Sequence, residues 1–388
     1  MGPLKGIRVV EMVGIGPGPY AAMLLSDMGA EVIRIDRATA GPANAWDVLT
    51  RGRKSLAVNL KSVEGKEAVL KLLETADILI EGYRPGVMEK LGLGPDVCLG
   101  RNPKLVYGRM TGWGQYGPLA QSAGHDINYI AITGALASIG RAGEAPVPPL
   151  NLVGDFGGGT LFLVVGILAA LWESAQSGQG QVVDAAISDG TISLMSAVHS
   201  LVSIGLWNDE RGTNLLDGGA PFYDCYQCAD GEWVAIGAVE PHFFAQLLER
   251  IGLAAVETAG GDALQGFDAQ FDRARWPALR ESLRKTFASQ PRQYWCEQLE
   301  GSDGCFAPVL SIKDAPSHAH NQARQAFIER HGVVQSAPAP RFSRTASEVQ
   351  GDPVAVGAHT EQLLIELGYK PAEIERMKSA GTVLQGDA

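Results

Sequence analysis

The sequence predicts an α/β protein in which a parallel sheet wound by helices is followed by a smaller α+β domain. Three observations predict it. Short β-branched runs alternate with helical patterns through the first third, the texture changes after about residue 187, and a hairpin signal then opens a helix-rich stretch. Ile7-Arg8-Val9-Val10-Glu11-Met12 reads as a buried strand leading into a Gly/Pro turn, and residues 20–28 have helical spacing that stops at Gly29. Glu31-Val32-Ile33-Arg34-Ile35-Asp36 is a second strand and residues 55–60 a short third. A helix over 63–76 leads to strands at 77–80 and 104–107, and a long apolar helix over 160–174 precedes a strand at 182–186. Strands alternating with helices pair in parallel through right-handed crossovers, which gives a Rossmann-like sheet.

Beyond it, residues 191–206 read as a helix and 217–221 as a Gly-rich segment. Residues 222–228 and 233–238 form a hairpin around Ala229-Asp230-Gly231-Glu232, since Asp-Gly between alternating runs favours a tight turn. Helices are expected over 241–251, 274–288 and 293–299, a linker at 336–340 and a closing helix over 361–367. The expected organisation is therefore 1–186 as the first part of a large domain, 187–221 as a linker, 222–318 as the small domain, 319–340 as a second linker, and 341–388 returning to the large domain.

With 388 residues the chain exceeds one ordinary core, and 46% hydrophobic against 19% charged residues excludes a disordered chain. A net charge of −11 argues against general binding to nucleic acid or to an anionic membrane, both of which need a basic footprint. The N-terminus lacks the pattern of a secretory signal and the C-terminus is no peroxisomal address. The longest apolar run, Leu161 to Trp172, is 12 residues, too short to span a bilayer, and reads as a buried helix. Five irregularly spaced cysteines fit free thiols in a reduced, cytoplasmic protein.

Several motifs invite chemistry. Gly14-Ile15-Gly16-Pro17-Gly18-Pro19 follows the first strand, and Asp36 lies where a ribose-binding acid would fall. Pro19 occupies the third glycine's place, and two prolines remove N–H donors that would face a pyrophosphate, so a tight turn starting a helix is the better reading. Cys225 and Cys228 resemble half a zinc knuckle, but no second pair follows and their spacing on a strand points them to opposite faces. His318 and His320 lack nearby carboxylates in the sequence. No metal site is expected. Asp155 precedes Gly157-Gly158-Gly159 and a long apolar helix. Glycines there would let the backbone approach a ligand, and a helix start would favour the carboxylate; the alternative is a plain N-cap. His125 alone is equally a core histidine or a functional one.

Gly124-His125-Asp126-Ile127-Asn128-Tyr129 and Asn151-Leu152-Val153-Gly154-Asp155-Phe156-Gly157-Gly158-Gly159 resemble the signature of α-methylacyl-CoA racemases, within the family III CoA-transferase (CaiB/BaiF) superfamily. So do Gly82-Tyr83-Arg84-Pro85-Gly86-Val87, Arg109-Met110-Thr111-Gly112-Trp113-Gly114-Gln115 and Gly178-Gln179-Gly180-Gln181-Val182-Val183-Asp184-Ala185-Ala186. The similarity runs in order from about residue 3 to Thr345; residues 257–272 and the tail depart from it.

The resemblance implies an interlocked homodimer, with the site between the large domain of one subunit and the small domain of the other. It implies an isomerase that interconverts R and S 2-methylacyl-CoA thioesters by two-base 1,1-proton transfer, in fatty acid and lipid metabolism. His125 would serve the S-substrate and Asp155 the R-substrate, with Glu240 orienting His125. Asn151 and Tyr223 would support the bases, and backbone N–H near Asp126 would stabilise the enolate. Coenzyme A, bound as part of the substrate, would meet Arg37, Val58, Asn59, Leu60, Lys61, Gly82, Tyr83, Arg84 and Lys90, with Gly124, Ile127, Asn128 and Tyr129 alongside. No other cofactor is implied. The alternative is a CoA transferase of the same fold, in which Asp155 forms an acyl anhydride. His125 and the acidic Gly237-Ala238-Val239-Glu240-Pro241 segment speak against it, because such transferases generally lack that histidine and carry a glycine-rich loop.

Overall fold

A computed structural model describes residues 2–253 and 270–387, so most of the divergent 257–272 stretch lies outside the described residues. The chain divides into two units: residues 1–134, 149–195 and 324–388 form the larger, and 135–148 with 196–323 the smaller.

The larger unit is built on a seven-stranded sheet. Its strands are β1 (Arg8–Met12), β2 (Glu31–Asp36), β3 (Arg53–Val58), β4 (Ile78–Glu81), β5 (Val106–Thr111), β6 (Val182–Ala186) and β12 (Val383–Leu384), in the order β12-β3-β2-β1-β4-β5-β6. All pairs are parallel except β12 with β3. This is the 3-2-1-4-5-6 Rossmann order with one antiparallel edge strand added by the chain's end. Successive side chains of a strand point to opposite faces, and here both faces are covered. Val10, Ile33, Ile35, Leu79 and Tyr107 enter the core that includes Leu72, Leu363 and Met377, whereas Val9, Val32, Ile78, Ile80 and Val106 enter the other, with Leu25, Leu163 and Ile167. Two buried faces explain why successive positions such as Val9-Val10, Val32-Ile33 and Ile78-Leu79-Ile80 are apolar.

The fifth strand runs over 106–111 rather than the expected 104–107. Its polar half escaped the apolar reading because Arg109 is buried yet paired, 2.8 Å from Glu81 and 2.9 Å from Glu89. The expected long helix is the tail of a longer element. Leu152–Leu161 is a wide helical segment of the π type, with Phe156 N–H bonding the Asn151 carbonyl five residues back, and it continues into the α-helix Phe162–Ser177. Nor is this helix fully buried: one side packs on β5 and β6, while Leu161, Val165 and Trp172 are exposed. The 26 residues are long and apolar enough to cross a membrane by length and composition alone, a test that a core helix lying on a sheet also passes. The helix expected over 191–206 is two, Ile187–Leu194 and Ser196–Ser203, the first packed against Leu152–Leu161.

In the smaller unit, β7 (Tyr223–Gln227), β8 (Trp233–Gly237) and β9 (Phe306–Val309) make an antiparallel sheet. The helices Pro241–Arg250, Trp276–Phe287 and Arg292–Leu299 close an aromatic core around Phe222, Tyr226, Phe244, Trp276, Phe287 and Trp295. Residues 135–148, inside the expected large domain, belong to this unit, where Arg141 pairs with Asp224 at 2.7 Å. Cys225 is exposed and Cys228 buried, as opposite strand faces require. His318 has a carboxylate after all, Glu300 at 2.7 Å, supplied by the fold from 18 residues away. Within 319–340, β10 (Phe327–Arg330) and β11 (Val333–Ser336) form a hairpin of the larger unit, turning at His331 and Gly332 with positive φ. Gln335 and the Ser336 carbonyl accept from buried Arg51, which also pairs with Asp27.

Candidate active site

Ligands in open α/β sheets bind beyond the carboxyl ends of the strands, where the chain order reverses. Here the reversal lies between β1 and β4: the chain adds β2 and β3 on one side of β1 and then returns to place β4 on the other. A cavity of about 450 Å³ opens at this point. Its walls come from the turn after β1 (Gly14 to Pro19), from Gly82 and Tyr83 after β4, from Thr111 and Gly112 at the end of β5, and from His125, Tyr129 and Asp155.

The Gly14–Pro19 turn starts a helix, Pro17–Asp27, as expected, and it also walls the site, which its spacing did not reveal. Gly16, with φ of 68°, lies so close that a β-carbon there would be 3.5 Å from Asp155 Oδ2. Asp36 has its carboxylate engaged by neighbours within the fold. It is buried, bonded by Arg34 and, at 2.6 Å, by the Ser55 hydroxyl.

Asp155 sits in the first turn of the Leu152–Leu161 segment, whose N-cap is Asn151, so Asp155 is not itself the cap. Three contacts fix this segment. Phe156 packs on Tyr20 with ring centroids 4.6 Å apart, the Thr160 hydroxyl donates to the Pro17 carbonyl at 2.7 Å, and the Asp155 N–H donates to Asp126 Oδ1 at 2.6 Å. The glycine run does not open the backbone to a ligand as expected. Instead a β-carbon at Gly158 would lie 2.4 Å from Thr191 Oγ1, and one at Gly159 2.9 Å from Ile187 Cγ1, so these glycines admit the helix Ile187–Leu194.

His125 is the N-cap of the helix Asp126–Ala131, and its backbone N–H donates to Asn128 Oδ1 at 3.0 Å. The first N–H groups of a helix lack intrahelical acceptors, so Asp126 N–H is a candidate donor to an oxyanion. Tyr129 fits between Gly112 and Gly124, where β-carbons would clash with its ring at 2.0 and 2.7 Å, and its hydroxyl donates to the Gly124 carbonyl. Trp113 meets Tyr129 edge-on at 4.8 Å.

Burial raises the Asp155 carboxyl above the usual carboxylate range, and the charge of Asp126 adds to this. A hydrogen bond from Asn151 and the charge of a protonated His125 pull the other way. Asp126 is itself raised by burial, against the N–H groups of Asp155 and Gly154.

Two further cavities adjoin the first and share Tyr83 with it. One, about 490 Å³, is lined by Arg84, Trp113, His125 and Asn128; the other, about 690 Å³, by Arg37, Val58, Asn59, Leu60, Lys61 and Tyr83. Most residues expected around coenzyme A thus line one set of cavities, but Lys90 and Ile127 are exposed and line none of the three. Glu240, the N-cap of Pro241–Arg250, and Tyr223, at the start of β7, belong to the smaller unit. A cavity of about 850 Å³ between Trp233 and Trp276 is in that unit too, and holds neither His125 nor Asp155.

The chain is 44% identical to the alpha-methylacyl-CoA racemase of Mus musculus over 97% of this chain and 96% of that one. It is 41% identical to that of Homo sapiens over the same shares, and 31% identical to a succinyl-CoA–D-citramalate CoA-transferase of Chloroflexus aurantiacus, covering 94% of each. Among solved structures, a CaiB/BaiF family protein of Brucella suis superposes with a TM-score of 0.78 at 25% identity, covering 94% of this chain and 99% of that one. The family profile of CoA-transferase family III matches residues 4–360. With sheet order, switch-point cavity and full-length similarity in agreement, the chain belongs to CoA-transferase family III.

Proposed function

We propose that this protein is an isomerase that epimerises 2-methylacyl-CoA thioesters by 1,1-proton transfer, with His125 and Asp155 as its two bases. The observation that carries the reading is that an imidazole and a carboxyl line one cavity beside a helix start. Full-length similarity to racemases, higher than to the CoA-transferase above, supports it. The α-proton of a thioester is weakly acidic, so one base removes it while backbone N–H, with that of Asp126 foremost, stabilises the enolate oxygen. The other base, protonated, returns a proton to the opposite face of the planar carbon. Asp155 takes the proton of the R-substrate and His125 that of the S-substrate. Asn151 supports Asp155 by a hydrogen bond, and Glu240 and Tyr223 support the bases from the second chain of the homodimer proposed below. Raising the Asp155 carboxyl above the usual carboxylate range favours its acid form more than in an ordinary aspartate, and that form is what returns a proton to the planar carbon.

This has a pH consequence. Exchange from the R-substrate needs ionised Asp155, so its rate falls as pH drops through a carboxyl pKa above the usual range. Inversion of the S-substrate, as distinct from washout of its α-proton, needs the acid form and falls as pH rises through the same value. Opposite limbs in the two kcat/KM profiles are expected.

The thioester's coenzyme A is held by Arg37 and Lys61 at its phosphates and by Tyr83 and Arg84 further in; no other cofactor takes part. Arg37→Ala or Lys61→Ala should each raise KM roughly 2- to 10-fold, as ~0.5–1.5 kcal/mol per bond implies, and less so in high salt. We also propose that two chains form an interlocked homodimer, which would cover the exposed Leu161, Val165 and Trp172, and that the reaction belongs to fatty acid metabolism, where 2-methyl branched chains arise.

Proton NMR of an (S)-2-methylacyl-CoA in D₂O, without any acceptor acid, tests the function. Loss of the α-proton signal with inversion supports it. No exchange, but CoA transfer once a free carboxylic acid is added, would instead make Asp155 a nucleophile.

A further inference from the structure

We infer that the Asp126 side chain is a positioning residue that sets the separation of the two bases, by gripping the backbone at Asp155 while Asp126 itself opens the helix capped by His125. The inference rests on the two-base reading above and concerns the carboxylate, not the N–H assigned to the oxyanion.

Four observations carry it. Asp126 is adjacent to His125 in the chain and forms the first turn of its helix. Its Oδ1 accepts the Asp155 N–H at 2.6 Å, and the Gly154 N–H also donates to this carboxylate. Consecutive N–H groups bonded to one carboxylate are charge-assisted and hold a backbone in place firmly. The approach is close enough to demand glycine at 154, since a β-carbon there would lie 2.4 Å from Oδ1 and 2.9 Å from Ile130 Cγ2. Finally, the carboxylate is buried, and Oδ2 has no hydrogen-bond partner among the described residues. A fold that spends a buried carboxylate here obtains a direct link between the two base-bearing segments, which are otherwise 30 residues apart in sequence.

The same charge faces the Asp155 carboxyl. The other ionisable groups acting on Asp155 are His125 and Tyr129, the latter in turn influenced by Arg84. Gly16, the N-cap of Pro17–Asp27, and Ile187, which opens Ile187–Leu194, line the same cavity as Asp155, while Tyr20 and Thr191 pack on its neighbours Phe156 and Gly158; none of these is a carboxylate or a cation. Asp126 is thus the one neighbouring carboxylate among the described groups acting on Asp155, and its removal lowers the Asp155 pKa.

Asp126→Ala, Asp126→Asn and Gly154→Ala test this by two readouts. The first does not depend on the reaction. Amide hydrogen exchange of the peptide spanning 152–161 should accelerate about tenfold or more in Asp126→Ala and Gly154→Ala, and little in Asp126→Asn, whose amide oxygen still accepts. Unchanged protection in Asp126→Ala would overturn the inference whatever the activity. The second is kinetic. Asp126→Ala and Gly154→Ala should lose about 10²-fold in kcat at nearly constant KM, the scale of a ~1 Å misplacement. Asp126→Asn should recover most of that loss while its acid limb with the R-substrate moves to lower pH. An unmoved limb together with wild-type kcat in all three variants would also overturn it. Wild-type protein without any α-proton exchange would refute the function above, leaving the first readout to decide on Asp126.

Discussion

Asp155→Ala and His125→Ala are each expected to cut epimerisation by about 10²–10⁴, the usual worth of a positioned base. The losses should differ in kind. An enzyme that keeps His125 should still wash the α-proton out of the S-substrate into D₂O, and one that keeps Asp155 should do so for the R-substrate, because each face retains its own base. Neither should invert configuration at the wild-type rate. Both side chains line an open cavity, so truncation should leave the melting temperature within the range of an ordinary surface change. Loss of exchange from both enantiomers in both variants would mean that neither base removes a proton without the other. Full activity in either variant would remove that residue from the mechanism.

The second large effect lies away from the chemistry. Gly190→Ala should destabilise the larger unit, although alanine is ~1 kcal/mol better than glycine inside a helix. A β-carbon at 190 would lie 1.8 Å from the Gly158 carbonyl oxygen and 2.9 Å from Phe162 Cδ2. The first contact is with backbone, so no rotamer relieves it, and the helix Ile187–Leu194 must move off the Leu152–Leu161 segment. Overpacking of this kind costs ~1–3 kcal/mol, a fall of roughly 2–12 °C in Tm for a unit of this size. Because Gly158 is three residues beyond Asp155, kcat should fall as well. A melting temperature at or above wild type would show that propensity outweighs the contact and that the two helices are not held at this spacing.

The parallel sheet was legible because both of its faces are buried, which places β-branched and other apolar residues at successive positions such as Val9-Val10, Val32-Ile33 and Ile78-Leu79-Ile80. The pairing of His125 with Asp155 was legible only through resemblance to known racemases. By local pattern one is a histidine before a short helix and the other an aspartate near a helix start, and either description fits an ordinary structural residue. Where polar residues are buried by partners far along the chain, the pattern misled: Arg109 concealed half of β5 until Glu81 was placed beside it. The glycines after Asp155 signalled a close approach, read from the sequence as an approach to a ligand, whereas it is to Thr191 and Ile187 of the next helix.

Local preference and periodicity by themselves determined the order of strands and helices, the class of the fold and the turn that opens the first helix. Those properties depend on neighbours within a few residues. The meeting of the Gly14–Pro19 turn, His125 and Asp155 at the switch point, the grip of Asp126 on Asp155, and the capture of Asp36 by Arg34 and Ser55 were decided only in three dimensions. Each joins segments that the sheet order brings together, and contacts of that kind leave no periodic trace in the chain.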